Sequence, residues 1–241
     1  HTLVWHNQIP DWVTRKGDGS LVSDNTLYRN IFDHISSVAG RYSGKIKGWD
    51  VVNEAILDDG SYRENDFYKI SADEYIFKSF EIAHKIDPNA ELYYNDFSMY
   101  KPEKCDAAIR IANKILERGL RIDGIGLQAH WGLDYPSIDE IETSILKIHE
   151  AGFRVHFTEL DIDVLPNLWE IEGADLSDNF KSNDQLNPYK SSLPDSISDL
   201  LSDRYSEIFE LFDKHNDKID RVTFWGLSDG HSWKNDWPAK G

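Results

Sequence analysis

Residues 47–95 hold a strand, a helix and a second strand in succession: KGWDVVN (47–53), SADEYIFKSFEIAHKI (71–86) and AELYYN (90–95). The outer two runs are short and rich in β-branched and aromatic residues. The middle one repeats apolar residues at i, i+3 and i+4 and is closed by Pro88-Asn89. A strand, a helical crossover and a second strand make a βα repeat of a parallel sheet. The same alternation continues outward in both directions. Further strands are expected at Thr2–Trp5, Gly124–Ala129, Arg154–Thr158 and Arg221–Gly226, and helices at about 24–39, 103–118, 137–151 and 197–215. Gly119 ends one of these helices, and Ser137 with Glu140 reads as a capping box at the start of another. The alternation predicts one parallel α/β domain over residues 1–241. A doubly wound sheet and a barrel both satisfy it, although no GxGxxG or GxxxxGK[ST] loop follows any strand, which lowers the nucleotide-binding reading. Residues 162–195 form the one long polar connection, expected to be a functional loop or an insertion.

The chain has 26 basic and 43 acidic residues, a net charge of −17. Nucleic-acid affinity comes largely from clustered Lys and Arg neutralising phosphates, and an anionic membrane repels the same surface, so neither is an expected partner. With 40% hydrophobic and 12% aromatic residues the chain can bury a sizeable core. It contains no run of about 18 apolar residues long enough to span a bilayer, and it starts on His1 with neither Met nor a signal peptide. Cys105 is the only cysteine, which excludes an internal disulfide and a cysteine-based zinc cluster. The histidines show no HExxH spacing, so no metal and no other cofactor is expected.

Chemistry is written at the strand ends. Trp49-Asp50-Val51-Val52-Asn53-Glu54 and Val155-His156-Phe157-Thr158-Glu159 are apolar runs that each close on a glutamate. Two carboxylates across one cleft suit glycoside hydrolysis, one protonated to release the leaving oxygen and the other ionised to attack or to activate water. A lone strand-end glutamate is more often a surface residue, but the neighbours here are unusual. Gln128, His130 and Trp131 end a third strand; His1, Trp5, His6 and Gln8 lie on the first segment; Trp225 and Trp233 follow the last. Flat apolar faces beside amides and imidazoles fit the C–H faces and hydroxyl rims of sugars.

The segments HTLVWHNQIPDW, GWDVVNEA, YYNDF, IGLQAHW, VHFTELDID and TFWGLSDGHSW, in this order, resemble those of glycoside hydrolase family 10, the endo-β-1,4-xylanases. The resemblance implies a (β/α)8 TIM barrel of which strands 3–8 are present, with strands 1–2 and helix 8 missing, so that residues 1–241 form a partial catalytic domain. It implies retention, with Glu54 as acid/base and Glu159 as nucleophile. An ionised Glu159 nearby would disfavour a second charge on Glu54. Asn53 would hold the sugar 2-hydroxyl, and His130 would bond Glu159 while Asp161 orients that imidazole. His1, Trp5, Gln128, Trp225 and Trp233 match glycone-side contacts, and Gln8 and Tyr94 match contacts further out. Xylan and xylo-oligosaccharides are the implied partners of a secreted, monomeric enzyme that carries further carbohydrate-binding modules in some longer form. Two other readings are a retaining β-glucanase or cellulase, and a non-catalytic glycan-binding fragment.

Overall fold

The structure, a computed structural model, describes residues 1–165, 188–189 and 192–236. Its strands are β1 (Thr2–Trp5), β2 (Gly48–Asn53), β3 (Glu91–Asp96), β4 (Gly124–Leu127), β5 (His130–Gly132), β6 (Arg154–Asp163) and β7 (Ile219–Phe224). The helices are α1 (Asp24–Tyr42), α2 (Asp66–Ser71), α3 (Glu74–Ile86), α4 (Pro102–Glu117), α5 (Ile138–Glu150) and α6 (Asp195–Lys214). These strands all pair in parallel, and the sheet runs β1-β2-β3-β4-β6-β7. Strand order therefore follows chain order without reversal. A doubly wound sheet would reverse at a switch point, so this order settles the choice left by the alternation in favour of the barrel arrangement.

One strand was not expected. β5 begins after a gap of two residues from β4 and pairs with the far half of β6, His130 opposite Asp161. It is the continuation of β4 past Ala129, whose φ of 65° kinks the backbone. Likewise β6 runs on to Asp163, five residues beyond its expected end at Thr158. The helix expected over 71–86 is α3, which starts three residues later at Glu74; α2 before it was not expected, and Ala72, at φ 50°, separates the two. Of the connection 162–195, Ile162 and Asp163 belong to β6 and Asp195 opens α6, while 166–187 and 190–191 lie outside the described residues.

The helix starts follow local chemistry. The Ser23 hydroxyl accepts from the Thr26 N–H at α1, Pro102 opens α4, and Ser137 and Glu140 form both bonds of the expected capping box at α5. Their apolar stripes pack on the sheet: Leu27, Ile31 and Ile35 from α1, Ile76, Phe77 and Phe80 from α3, and Ala108, Ile111 and Ile115 from α4 are all buried. Cys105, also on α4, is buried in the same layer, and burial pushes its thiol up to about 11. Trp12 projects into solvent at 65% exposure.

Candidate active site

The carboxyl ends of β2, β3 and β4, the start of β5 and the second half of β6 bring the candidate residues to one rim. β2 closes on Asn53, and the chain turns at Glu54 with φ 58°. Left-handed backbone costs a side-chain-bearing residue about 1–2 kcal/mol, so the turn has to be held. Four hydrogen bonds hold it. The Glu54 N–H donates to the Asn95 carbonyl at 3.0 Å and Arg63 Nε donates to the Glu54 carbonyl at 3.0 Å. The Ala55 N–H donates to the Tyr94 hydroxyl at 3.1 Å and the Arg63 N–H to the Ala55 carbonyl at 2.8 Å.

The two glutamates are joined by a chain of amides. Gln128 Nε2 donates to Glu54 Oε1 (3.0 Å) and to Asn53 Oδ1 (3.1 Å). Asn53 Nδ2 also reaches Glu54 Oε1, at 3.2 Å. Asn95 Nδ2 donates to Asn53 Oδ1 (3.0 Å) and to Glu159 Oε1 (3.1 Å), and its own Oδ1 accepts from Thr158 Oγ1 at 2.7 Å. Asn95 was not singled out in the sequence, yet it is the residue through which the two halves of the site meet. It fits there because Gly126 opposite has no side chain. A Cβ on Gly126 would lie 2.4 Å from Asn95 Oδ1 and 2.9 Å from Thr158 Cγ2.

Glu159 has a second, charged neighbour. His130 Nε2 lies 3.4 Å from Glu159 Oε2 and His130 Nδ1 lies 2.9 Å from Asp161 Oδ1. Burial lowers the affinity of His130 for its proton, but hydrogen bonds and charges from Asp161 and Glu159 outweigh it, and the net shift is upward from 6.5. An imidazole with a carboxylate at each nitrogen can satisfy both only as a double donor. For Asp161, burial acts upward and is overcome by His130, by Lys234 at 3.2 Å and by Trp233 Nε1 at 2.8 Å, so its net shift is downward. Lys234 is a further member of the site that the sequence reading missed; nothing but its place next to Trp233 marks it.

The expected sugar contacts divide. Trp225 and Trp233 expose 46% and 37% of their surface at the rim, and the Trp233 ring stands edge-on to His130 at 5.1 Å. Trp5 is half-buried at the end of β1 with its Nε1 unpartnered. His1 is exposed with its ring edge-on to Trp49 at 6.4 Å. Gln8, at φ 55°, lines a cavity of about 220 Å³ with Asn7, Arg15 and Asp66. Gln128 is buried and its amide is committed to Asn53 and Glu54, which makes it a support of those residues. Tyr94 departs from the expectation altogether. It is fully buried on the helical side of β3, its hydroxyl donates to Asp96 Oδ2 at 2.5 Å and accepts from the Ala55 N–H, and no face of it reaches the cleft. The reason is strand parity: Asn95 points to the site, so its neighbours in β3, Tyr94 and Asp96, point to the helices.

Fold and site together define a class: a parallel βα barrel in which two glutamates, one just after β2 and one in the second half of β6, share one polar, aromatic rim. Residues 1–240 match the glycosyl hydrolase family 10 pattern, and the chain belongs to that family, whose fold is the (β/α)8 barrel. It is 45% identical over its whole length to endo-1,4-beta-xylanase A of Xylanibacter ruminicola, of which it spans 65%. It is 37% identical to the endo-1,4-beta-xylanase of Geobacillus stearothermophilus, covering all of this chain and 69% of that protein. Among solved structures, a GH10 endoxylanase retrieved from sugarcane soil metagenome superposes with a TM-score of 0.89 at 42% identity, over 99% of this chain and 68% of the other. A mutant of the intracellular xylanase of Thermoanaerobacterium saccharolyticum, in complex with xylotetraose, superposes with a TM-score of 0.80 at 30% identity, over 97% of this chain and 67% of that one.

Proposed function

We propose that the chain carries the catalytic centre of an endo-1,4-β-xylanase that hydrolyses internal bonds of xylan with retention. The observation that carries this reading is the unequal treatment of the two glutamates. Glu159 Oε2 faces the His130 imidazole at 3.4 Å and its Oε1 accepts from the Asn95 amide at 3.1 Å. Glu54 accepts from the Asn53 and Gln128 amides, both on Oε1, which leaves Oε2 to face a leaving group. In the first step Glu159 bonds to the anomeric carbon as the glycosidic C–O bond breaks, and the Glu54 proton passes to the departing oxygen. In the second, Glu54 takes a proton from water, the water oxygen bonds to the anomeric carbon and Glu159 leaves. Asp161 holds the imidazole, and Asn53 is placed by Asn95 and Gln128 where a 2-hydroxyl would meet it. Trp225 and Trp233 offer exposed faces to the sugar rings.

The xylanase names of the relatives support xylan as the substrate. Rates on xylan and on carboxymethyl cellulose test it, and a preference for cellulose would move the assignment to a β-glucanase. Glu159→Ala should abolish xylan cleavage in the intact protein; substantial residual activity refutes the nucleophile assignment. Stabilisation by xylo-oligosaccharide without turnover in the unmutated protein would leave only a glycan-binding role. The same reading takes the protein as a secreted monomer, because polymeric xylan does not enter cells, with any carbohydrate-binding module elsewhere in a longer chain. Since one relative is intracellular, cell fractionation decides the first point and light scattering the second.

A further inference from the structure

Beneath the rim, on the helical side of β3, lies a buried charge array that the reaction does not touch. Lys104 of α4 and Asp96 of β3 are both 0% exposed and pair at 2.9 Å. The Lys104 ammonium also reaches Asp58 Oδ1 at 3.2 Å and lies 3.5 Å above the Phe97 ring. Asp96 Oδ1 accepts from the Phe97 N–H at 2.9 Å, and Asp96 Oδ2 accepts from the Tyr94 hydroxyl at 2.5 Å. With its proton committed to Asp96, the Tyr94 hydroxyl turns a lone pair to the Ala55 N–H. A buried ion pair rarely stabilises more than well-packed apolar residues in its place, so stability alone does not account for this array. Its output is the Ala55 N–H.

That N–H and the Glu54 carbonyl belong to one peptide unit. Tyr94 holds one edge of the unit and Arg63 Nε the other, which fixes ψ of Glu54, while the Glu54 N–H bond to Asn95 fixes the preceding unit and φ. We infer that Lys104, Asp96 and Tyr94 are positioning residues for the proton donor: through the 54–55 peptide they keep Glu54 in its left-handed conformation, with its carboxyl aimed at the leaving oxygen. The inference rests on the reading of Glu54 as acid. Burial, opposed by Lys104 and Tyr94, pushes Asp96 up to about 6, and the charge of Glu54 adds to that rise, so the array and the acid are also close enough to sense each other electrostatically.

The test separates acid assistance from general damage. In the intact protein, kcat/KM is measured on phenyl β-xylobioside, whose leaving group needs a proton, and on 2,4-dinitrophenyl β-xylobioside, whose leaving group does not. Tyr94→Phe keeps the ring and removes only the hydroxyl. It should lower kcat/KM for the phenyl substrate by about tenfold or more and leave the dinitrophenyl value within about threefold, a smaller version of the pattern expected of Glu54→Ala. Both substrates are read on one preparation, so their ratio does not depend on the fraction folded. Should Tyr94→Phe yield no folded protein, Asp96→Asn is read by the same ratio. Equal losses on both substrates, or no loss on either, overturn the inference while Glu54→Ala still shows its leaving-group dependence. If Glu54→Ala shows no such dependence, the assignment of the acid fails and the inference falls with it.

Discussion

Gly126→Ala puts one methyl group into the centre of the site without altering any residue that would touch a sugar. The added Cβ would lie 2.4 Å from Asn95 Oδ1 and 2.9 Å from Thr158 Cγ2. Ordinary contact requires about 3.4 Å, so the Asn95 amide has to retreat by roughly 1 Å. It cannot do so freely, because its Nδ2 is shared between Asn53 and Glu159 and its Oδ1 is held by Thr158. A displacement of about 1 Å in a group that positions reacting atoms costs about a hundredfold in rate. Overpacking of a buried site costs about 1–3 kcal/mol, which in a chain of this size corresponds to a fall in Tm of roughly 2–12 °C. The assays are kcat on xylan and a calorimetric melt. Combining the change with Asn95→Ala removes the clash, so the melting temperature of the double variant should lie above the sum of the single effects while activity stays low. Near-normal activity of Gly126→Ala, or strictly additive melting shifts, would refute the placement of Asn95 between the two glutamates.

The charged supports give two further tests. His130 binds its proton more tightly folded than unfolded, so its contribution to stability is full below 6.5 and is lost as pH rises through its higher folded value. Chemical denaturation across pH 5–9 should therefore show the advantage of the native protein over His130→Gln shrinking above about pH 6.5; an advantage that is flat or grows with pH contradicts the assignment. Lys104→Met strips the buried Asp96 of its counter-charge and should destabilise by about 3–5 kcal/mol, whereas Lys104→Met with Asp96→Leu should regain much of that loss in a urea titration. No recovery in the double variant would show that the pair is not a self-contained unit.

Period and punctuation made most of the scaffold legible before the structure was known. β1 carries the same bounds in both readings, and the start of α5 is written in Ser137 and Glu140. What escaped notice was local backbone geometry. The β4–β5 strand is split by the positive φ of Ala129, and nothing in Leu127-Gln128-Ala129-His130 announces that break. α2 buries one side chain, Phe67, and is too short to show a period. In the site, residue types that speak chemically at strand ends, Glu54, Glu159, His130 and Asp161, were singled out in the sequence, and the structure brings them together. Residues whose role depends on which way a strand's side chains alternate were not. In the run Tyr93-Tyr94-Asn95-Asp96, only the pairing of β3 with its neighbours decides that Asn95 joins the cleft and Tyr94 the helical layer. Arg63 acts from a loop and Lys234 from a short 3-10 helix, Trp233–Asp236, at distances that no sequence spacing encodes.

Cys105 follows Lys104 on α4, fully buried, and its thiol is pushed up to about 11. A thiol in that state reacts with alkylating or disulfide reagents only when α4 lifts from the sheet, since the nucleophile is the thiolate and it must be reached. The chain thus contains one native reporter, placed one residue from the array beneath Glu54. Its labelling rate under native conditions measures how often that layer opens, without any introduced probe, and comparing the rate with and without a xylo-oligosaccharide shows whether occupying the cleft closes the floor below it.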